Sequence, residues 1–204
     1  AEVQQQQLLN YMDLIQKWNK VYNLTAVRDP QEMLTHHLLD SLSAIAPLTR
    51  HLKDAPKTGL AGSTLLDVGS GGGLPGVVIA ICCPDIGVTC VDAVSKKAAF
   101  VQQVAASLKL PNLKGVHARV ETLSGPFDVI CSRAFASLPD FVTWSNQALD
   151  DQGVWMAMKG KLPAEEMAAL PTFASVFHVE QLQVPGLDAE RCMIWMKKQA
   201  TLSV

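Results

Sequence analysis

The chain has 204 residues, a hydrophobic fraction of 49% and a formal net charge of -2 at pH 7. That length suits one domain, or one domain with a short extension, and buries roughly 70% of the unfolded chain's surface without disulfide or metal staples. A nearly neutral charge argues against bulk binding to polyanions, while leaving room for a local basic face.

Two helical patterns fill the first 50 residues. In the first, Leu8, Met12 and Ile15 form an apolar stripe, with Leu9 and Trp18 beside it. The second follows a polar turn and has a clear start: Asp29 as cap, Pro30 at the first helical position and Glu32 closing a capping box. Pro47 is expected to end it. Residues 53–63, "KDAPKTGLAGS", read as a linker, dividing a helical extension (1–52) from a main unit (53–204). From Thr64 strands alternate with helices. Strands are expected near 64–68, 87–92, 114–118, 127–131, 153–159, 176–183 and 192–197, and helices near 75–82, 95–108, 139–149 and 163–169. This alternation predicts an α/β fold with a mostly parallel sheet covered on both faces. Only "QVPGLDAER" separates the last two strands, which leaves no room for a crossover helix, so they are expected to pair antiparallel near an edge.

The first strand runs into "LLDVGSGGGLPG" (65–76). Gly71, Gly73 and Gly76 fit the GxGxxG spacing, and Asp92 follows at the end of the next strand, placed to hold a ribose diol. A dinucleotide would bring its pyrophosphate to this turn, beside the carboxylate of Asp67. At about 4 Å and an effective dielectric near 20, that repulsion is roughly 4 kcal/mol. S-adenosylmethionine carries a sulfonium and an ammonium instead, which Asp67 favours directly or through water. The loop therefore reads as a methyl-donor site, in which Gly69, Gly71 and Gly73 let backbone approach the ligand.

These residues resemble the bacterial 16S ribosomal RNA guanine-N7 methyltransferases, the glucose-inhibited division protein B family. The likeness runs over nearly the whole chain through "KWNKVYNLTAVRDPQEML" (17–34), "HLLDSL" (37–42), the glycine loop, "VDAVSKKAAFV" (91–101), "ARVET" (118–122), "FDVICSRAFASL" (127–138) and "MKG" (158–160). The resemblance implies a class I methyltransferase fold, Rossmann-like with a seven-stranded sheet, carrying an N-terminal helical extension. It implies methyl transfer from S-adenosylmethionine, giving S-adenosylhomocysteine, to N7 of guanine 527 in the 530 loop. The implied partner is 16S rRNA, free or within the 30S subunit, with no metal and no obligate protein partner. By the same match Gly69 and Leu74 line the donor, Val120 and Glu121 hold its adenine end, and Arg133 is a site residue. One departure from class I enzymes generally is visible: the place after the third strand, often an acid that reads the adenine amine, is "His117-Ala118-Arg119", which leaves that task to the Val120 backbone and the Glu121 carboxylate, or to another residue.

The chemistry agrees. N7 of guanine carries an in-plane lone pair and no proton, so the enzyme needs orientation rather than a base. The Asn/Asp-Pro-Pro-Tyr/Phe signature of exocyclic-amine enzymes is replaced by "Cys131-Ser132-Arg133-Ala134-Phe135". Cys131 continues an apolar strand and reads as a buried thiol, not a nucleophile. Arg133 is placed to hold the donor carboxylate or an RNA phosphate in a bidentate fork, or to donate to O6 of guanine. His37, Asp40 and Ser41 share a helix face and either roof the donor pocket or form a structural cluster. Trp18 and Tyr22 either pack helix on sheet or stack on a flipped base. Arg28, Lys96, Lys97, Arg119, Arg133, Lys159 and Lys161 are candidates for a local basic face. The five cysteines lack a CxxC pair, and the sequence has neither a leader pattern nor an apolar run of transmembrane length; a cytoplasmic protein with reduced thiols is expected. The chain begins at Ala1 without Met, which leaves room for residues ahead of it. Two other readings stay open: methyl transfer to another RNA, a protein or a small molecule, and a nucleotide-binding module without chemistry.

Overall fold

Runs of branched and apolar residues, buried on both faces in the central strands, build one seven-stranded sheet. In the computed structural model, which describes residues 2–54 and 62–199, the strands are β1 (Thr64–Val68), β2 (Gly87–Asp92), β3 (Leu113–His117), β4 (Phe127–Arg133), β5 (Leu149–Lys159), β6 (Ala174–Gln181) and β7 (Cys192–Lys198). Their order is β3-β2-β1-β4-β5-β7-β6. The first five run parallel, and β7 lies antiparallel between β5 and β6. The expected antiparallel pairing of the last two strands is therefore present, with the reversed strand inserted one place in from the edge. The helices are α1 (Glu2–Tyr22), α2 (Pro30–Met33), α3 (Asp40–Leu42), α4 (Ile45–Asp54), α5 (Gly76–Cys82), α6 (Ser95–Ser107), α7 (Leu138–Ser145) and α8 (Ala164–Ala168). No described helix is long and apolar enough to cross a membrane.

Side chains on successive strand residues point to opposite faces, so Leu65 and Leu66 of β1 enter two different buried clusters. Around Leu66 gather Ile130, Phe141, Val142, Trp155 and Ile194. The Leu65 cluster takes in Val78, Phe100 and Val101 together with Tyr11 and Ile15 of α1 and Leu48 and Leu52 of α4. The helical extension thus shares the core of the sheet domain instead of standing apart from it.

The second helical pattern starts as expected. The Asp29 carboxylate accepts from the amides of Gln31 and Glu32 at 2.9 and 3.0 Å, though no return bond from Glu32 completes a capping box. Its end differs. The helix widens to π geometry over Leu34–Leu39, the stretch carrying His36 and His37, and breaks after α3; α4 then restarts at Ile45 with Pro47 buried in its first turn. Proline fits there because a first-turn amide has no intrahelical partner to lose. α4 runs to Asp54, past the expected boundary at residue 52. Most of the expected linker, residues 55–61, lies outside the described residues.

Candidate active site

The order of strands reverses between β1 and β4, and a cleft opens at their carboxyl ends, as such sheets dictate. β1 ends at Val68, and the turn into α5 places Gly69, Gly71 and Gly73 at φ of +64°, +58° and +88°, backbone that glycine adopts without a steric cost. The turn is tied to the end of β2. The amides of Gly69 and Ser70 donate to the Val91 carbonyl at 2.9 and 3.1 Å. Asp92 accepts from the Gly71 amide through Oδ2 at 3.0 Å and from the Val94 amide through Oδ1 at 2.8 Å.

Two cavities, of about 510 and 500 Å³, meet over this turn and share Gly69 and Ala134 as a common wall. Gly71, Leu74 and Arg133 line the first; Asp92, Val120 and Glu121 line the second. Phe135 and Trp144, with ring centroids 5.9 Å apart, add an aromatic wall to the second cavity. A Cβ added at Gly71 would meet nothing within 4 Å, so the bare backbone there faces open space. A ligand with a ribose at Asp92 and a polar tail fits this arrangement, passing over Gly69 from one cavity to the other.

Two expected donor contacts are not where the sequence placed them. Gly73 lines neither cavity; a side chain there would run into Val77 and approach the Tyr11 hydroxyl and Val101, all in the core. Tyr11 itself donates to the Gly72 carbonyl at 2.6 Å, so α1 props the turn from behind. Gly73→Val is therefore expected to cost about 2 kcal/mol of folding stability through overpacking and left-handed strain, read by denaturant unfolding, instead of blocking the ligand's path. Asp67 is also turned away from the cleft. Strand alternation sends it to the Leu65 face, where it is fully buried, accepting from the Gly76 amide at 2.8 Å through Oδ2, with the Cys90 thiol 3.9 Å from the same oxygen. Its Oδ1 has no hydrogen-bond partner. Burial pushes its pKa up to about 7; the Gly76 amide and the Arg133 charge pull it down without offsetting that. The carboxylate braces the glycine turn from below and does not reach either cavity.

The floor of the first cavity is a charge cluster drawn from three parts of the chain. Arg133, the last residue of β4, donates from Nη1 to Asp40 Oδ2 and to the His36 carbonyl, both at 2.8 Å. Asp40 Oδ1 accepts from Nε of Arg191 at 3.0 Å. His37 Nε2 lies 2.6 Å from the Thr25 hydroxyl, and burial, reinforced by the nearby Arg133 charge, lowers its pKa, which keeps the ring neutral near pH 7. Ser41 is buried beside this group but lines neither cavity. Lys159 lines the first cavity and donates to the Ala136 carbonyl at 2.9 Å and to Glu166 at 2.8 Å; Glu166 also accepts from the Leu138 amide, fixing the "AFASL" segment against β5.

Sequence reasoning missed Arg191, Phe135 and Trp144 as site residues. Phe135 stood inside a quoted motif, but neither Arg191 nor Trp144 carries a local signal. Trp18 packs on Phe100 of α6 and Tyr22 of α1, at centroid distances of 5.3 and 5.0 Å, and so serves the contact between α1 and α6. Lys96 stands 5.3 Å over the exposed Tyr22 ring. Cys131 is fully buried, and burial raises its thiol well above the ordinary value, so it is no nucleophile. Of the basic candidates, Arg28, Lys96, Arg119 and Lys161 are exposed, with Arg119 paired to Glu121 at 3.2 Å at the mouth of the second cavity.

The chain is similar to known proteins in sequence and in fold. The ribosomal RNA small subunit methyltransferase G of Polaromonas sp. strain JS666 is 72% identical over 192 residues, covering 94% of this chain and 84% of that protein. Its counterpart from Acidovorax sp. strain JS42 is 66% identical over 202 residues, 98% of this chain and 89% of that one. Among solved structures, magnesium protoporphyrin IX methyltransferase from Synechocystis PCC 6803 shares the fold at a TM-score of 0.64 and 13% identity, covering 94% of this chain and 99% of that one. The family model for GidB, rRNA small subunit methyltransferase G, matches residues 4–194, and the chain belongs to that family.

Proposed function

We propose that this methyltransferase moves the methyl group of S-adenosylmethionine to N7 of a single guanine, guanine 527 in the 530 loop of 16S rRNA. Bound S-adenosylmethionine supplies an electrophilic sulfonium methyl. The chain's own part is to hold the adenosine at Asp92, Val120 and Glu121 and to offer the first cavity to the incoming base. The observation that carries the reading is the state of that cavity's one carboxylate among the described residues. Asp40 spans two guanidiniums and is not available as a general base. N7 needs none, because its lone pair is free. The positive charge passes from sulfur to the base, so the pair's total charge does not change, and orientation is the main demand on the site.

Labelled methyl donor, incubated with 30S subunits and with naked 16S rRNA from a strain lacking the modification, tests this. The expected product carries one label per subunit, and borohydride–aniline cleavage maps it to guanine 527. A transcript with 7-deazaguanine at that position should accept no label; label there, or on an exocyclic amine, overturns the assignment. RNA affinity should also fall with salt, with a slope of about -0.7 to -0.9 per phosphate contact and only a few contacts in total, as befits the scattered exposed cations Arg28, Lys96, Arg119 and Lys161. A flat salt dependence removes the basic face from the RNA interface.

A further inference from the structure

Arg133, Asp40 and Arg191 place two guanidiniums on one carboxylate at the wall of the first cavity. All three side chains are largely withdrawn from solvent, with relative exposures of 17%, 5% and 22%. Lys159, on the same wall, has its own partner in Glu166. The trio therefore carries one positive charge with no partner within it, in a place where water screens poorly. Holding such a charge is costly unless a ligand completes the pairing. The donor groups are open as well: both Arg133 bonds leave from Nη1, and Arg191 uses Nε on Asp40 and Nη1 on the Glu190 carbonyl. Nε and Nη2 of Arg133 and Nη2 of Arg191 have no hydrogen-bond partner among the described residues.

Resting on the donor assignment above, we propose that Arg191 is a donor-binding residue, and that with Arg133 it forms a receptor for the carboxylate of S-adenosylmethionine. Asp40 sets the two guanidiniums, one through each oxygen, and so is a positioning residue. The location suits this ligand end. An adenosine moiety at Asp92 in the second cavity, threaded over Gly69, leaves its amino-acid tail in the first cavity. A monoanion matches the single uncompensated charge, and a planar carboxylate matches planar guanidinium donors. Arg191 comes from the β6–β7 connection, so the last hairpin of the sheet contributes to selecting the donor.

Calorimetry of the full chain with two ligands tests this: S-adenosylhomocysteine, which has the carboxylate, and 5′-methylthioadenosine, which keeps the nucleoside and thioether but lacks the amino-acid end. Arg191→Gln should weaken S-adenosylhomocysteine tenfold or more and leave 5′-methylthioadenosine within about twofold, the loss of one charge-assisted contact. Arg191→Lys should recover part of the difference by keeping the charge. Equal weakening of both ligands makes Arg191 structural, and no weakening of either removes it from the site; each result overturns the proposal. Unchanged S-adenosylhomocysteine with weaker binding of 30S subunits also overturns it and reassigns the charge to RNA phosphate. If wild-type chain binds S-adenosylhomocysteine and methylates 30S subunits in the same experiments, the function stands whatever Arg191 does.

Discussion

Arg133→Ala is expected to lower turnover on 30S subunits at saturating donor by tenfold or more, at least about 1.4 kcal/mol of barrier. The residue ends β4 at the wall of the first cavity, and its Nη1 joins two pieces of the extension, Asp40 and the His36 carbonyl. Removing one member of a buried ion pair costs about 3–5 kcal/mol when the other is left alone. Here Arg191 stays on Asp40, so the loss sits at or below the lower end of that range. Arg133→Lys keeps a charge but not a planar fork, and one ammonium cannot reproduce the guanidinium's directed bonds and still face the cavity; it too should be impaired, though less. Steady-state kinetics, run beside equilibrium unfolding of the same variants, separates lost catalysis from lost folding. An Arg133→Ala enzyme with wild-type turnover and wild-type donor affinity would place this arginine outside the site.

The contrast between Arg133 and Arg191 shows what a sequence can reveal here. Arg133 follows a strand of apolar residues and sits inside a family motif, so its position at the sheet's carboxyl edge, on the wall of the first cavity, could be read directly. Arg191 stands in a nine-residue stretch that reads only as a connection; what makes it part of the site is Asp40, 151 positions away in sequence. The same limit explains Gly73 and Asp67. Glycine spacing and a strand-end carboxylate are local facts, and they marked the turn over which the two cavities meet. Which side of the turn each atom faces depends on Tyr11, Val77 and Val101 filling the space behind Gly73, and on α5 covering the Leu65 face of β1. Pro47 failed for a different reason. Proline punctuates helices at both ends, and the break that put it in a first turn, at Ser43 and Ala44, has no glycine or proline to announce it. Six strands were legible to within two residues because branched runs bounded by turns have few alternatives, whereas β5 starts at Leu149, four residues before the expected 153.

Asp67→Asn is expected to change how stability varies with pH more than any other single substitution in the turn. The carboxyl of Asp67 has an ordinary value of 3.8 and a folded value of about 7, set first by burial. Below about pH 4 both folded and unfolded chains hold the proton, and the group has no effect. Between about pH 4 and 7 the unfolded chain releases the proton while the folded chain keeps it, so stability falls as pH rises. Above about 7 the loss is complete, at roughly 4 kcal/mol. Asparagine keeps an oxygen for the Gly76 amide and cannot ionise. Its extra N–H, beside the unpartnered place of Oδ1, adds a fixed cost of about 1–3 kcal/mol. That cost does not depend on pH, so it drops out when the two proteins are compared across pH. Urea unfolding of wild type and Asp67→Asn at pH 5, 6, 7 and 8 should show the variant gaining on wild type at each step, by about 2–3 kcal/mol over the series, most of it between pH 5 and 7. Because the side chain lines neither cavity, S-adenosylhomocysteine affinity at pH 6 should stay within a few-fold of wild type. A stability difference that does not change with pH would mean that Asp67 is ionised throughout, with a partner for Oδ1. A large loss of affinity at pH 6 would return the carboxylate to the donor site.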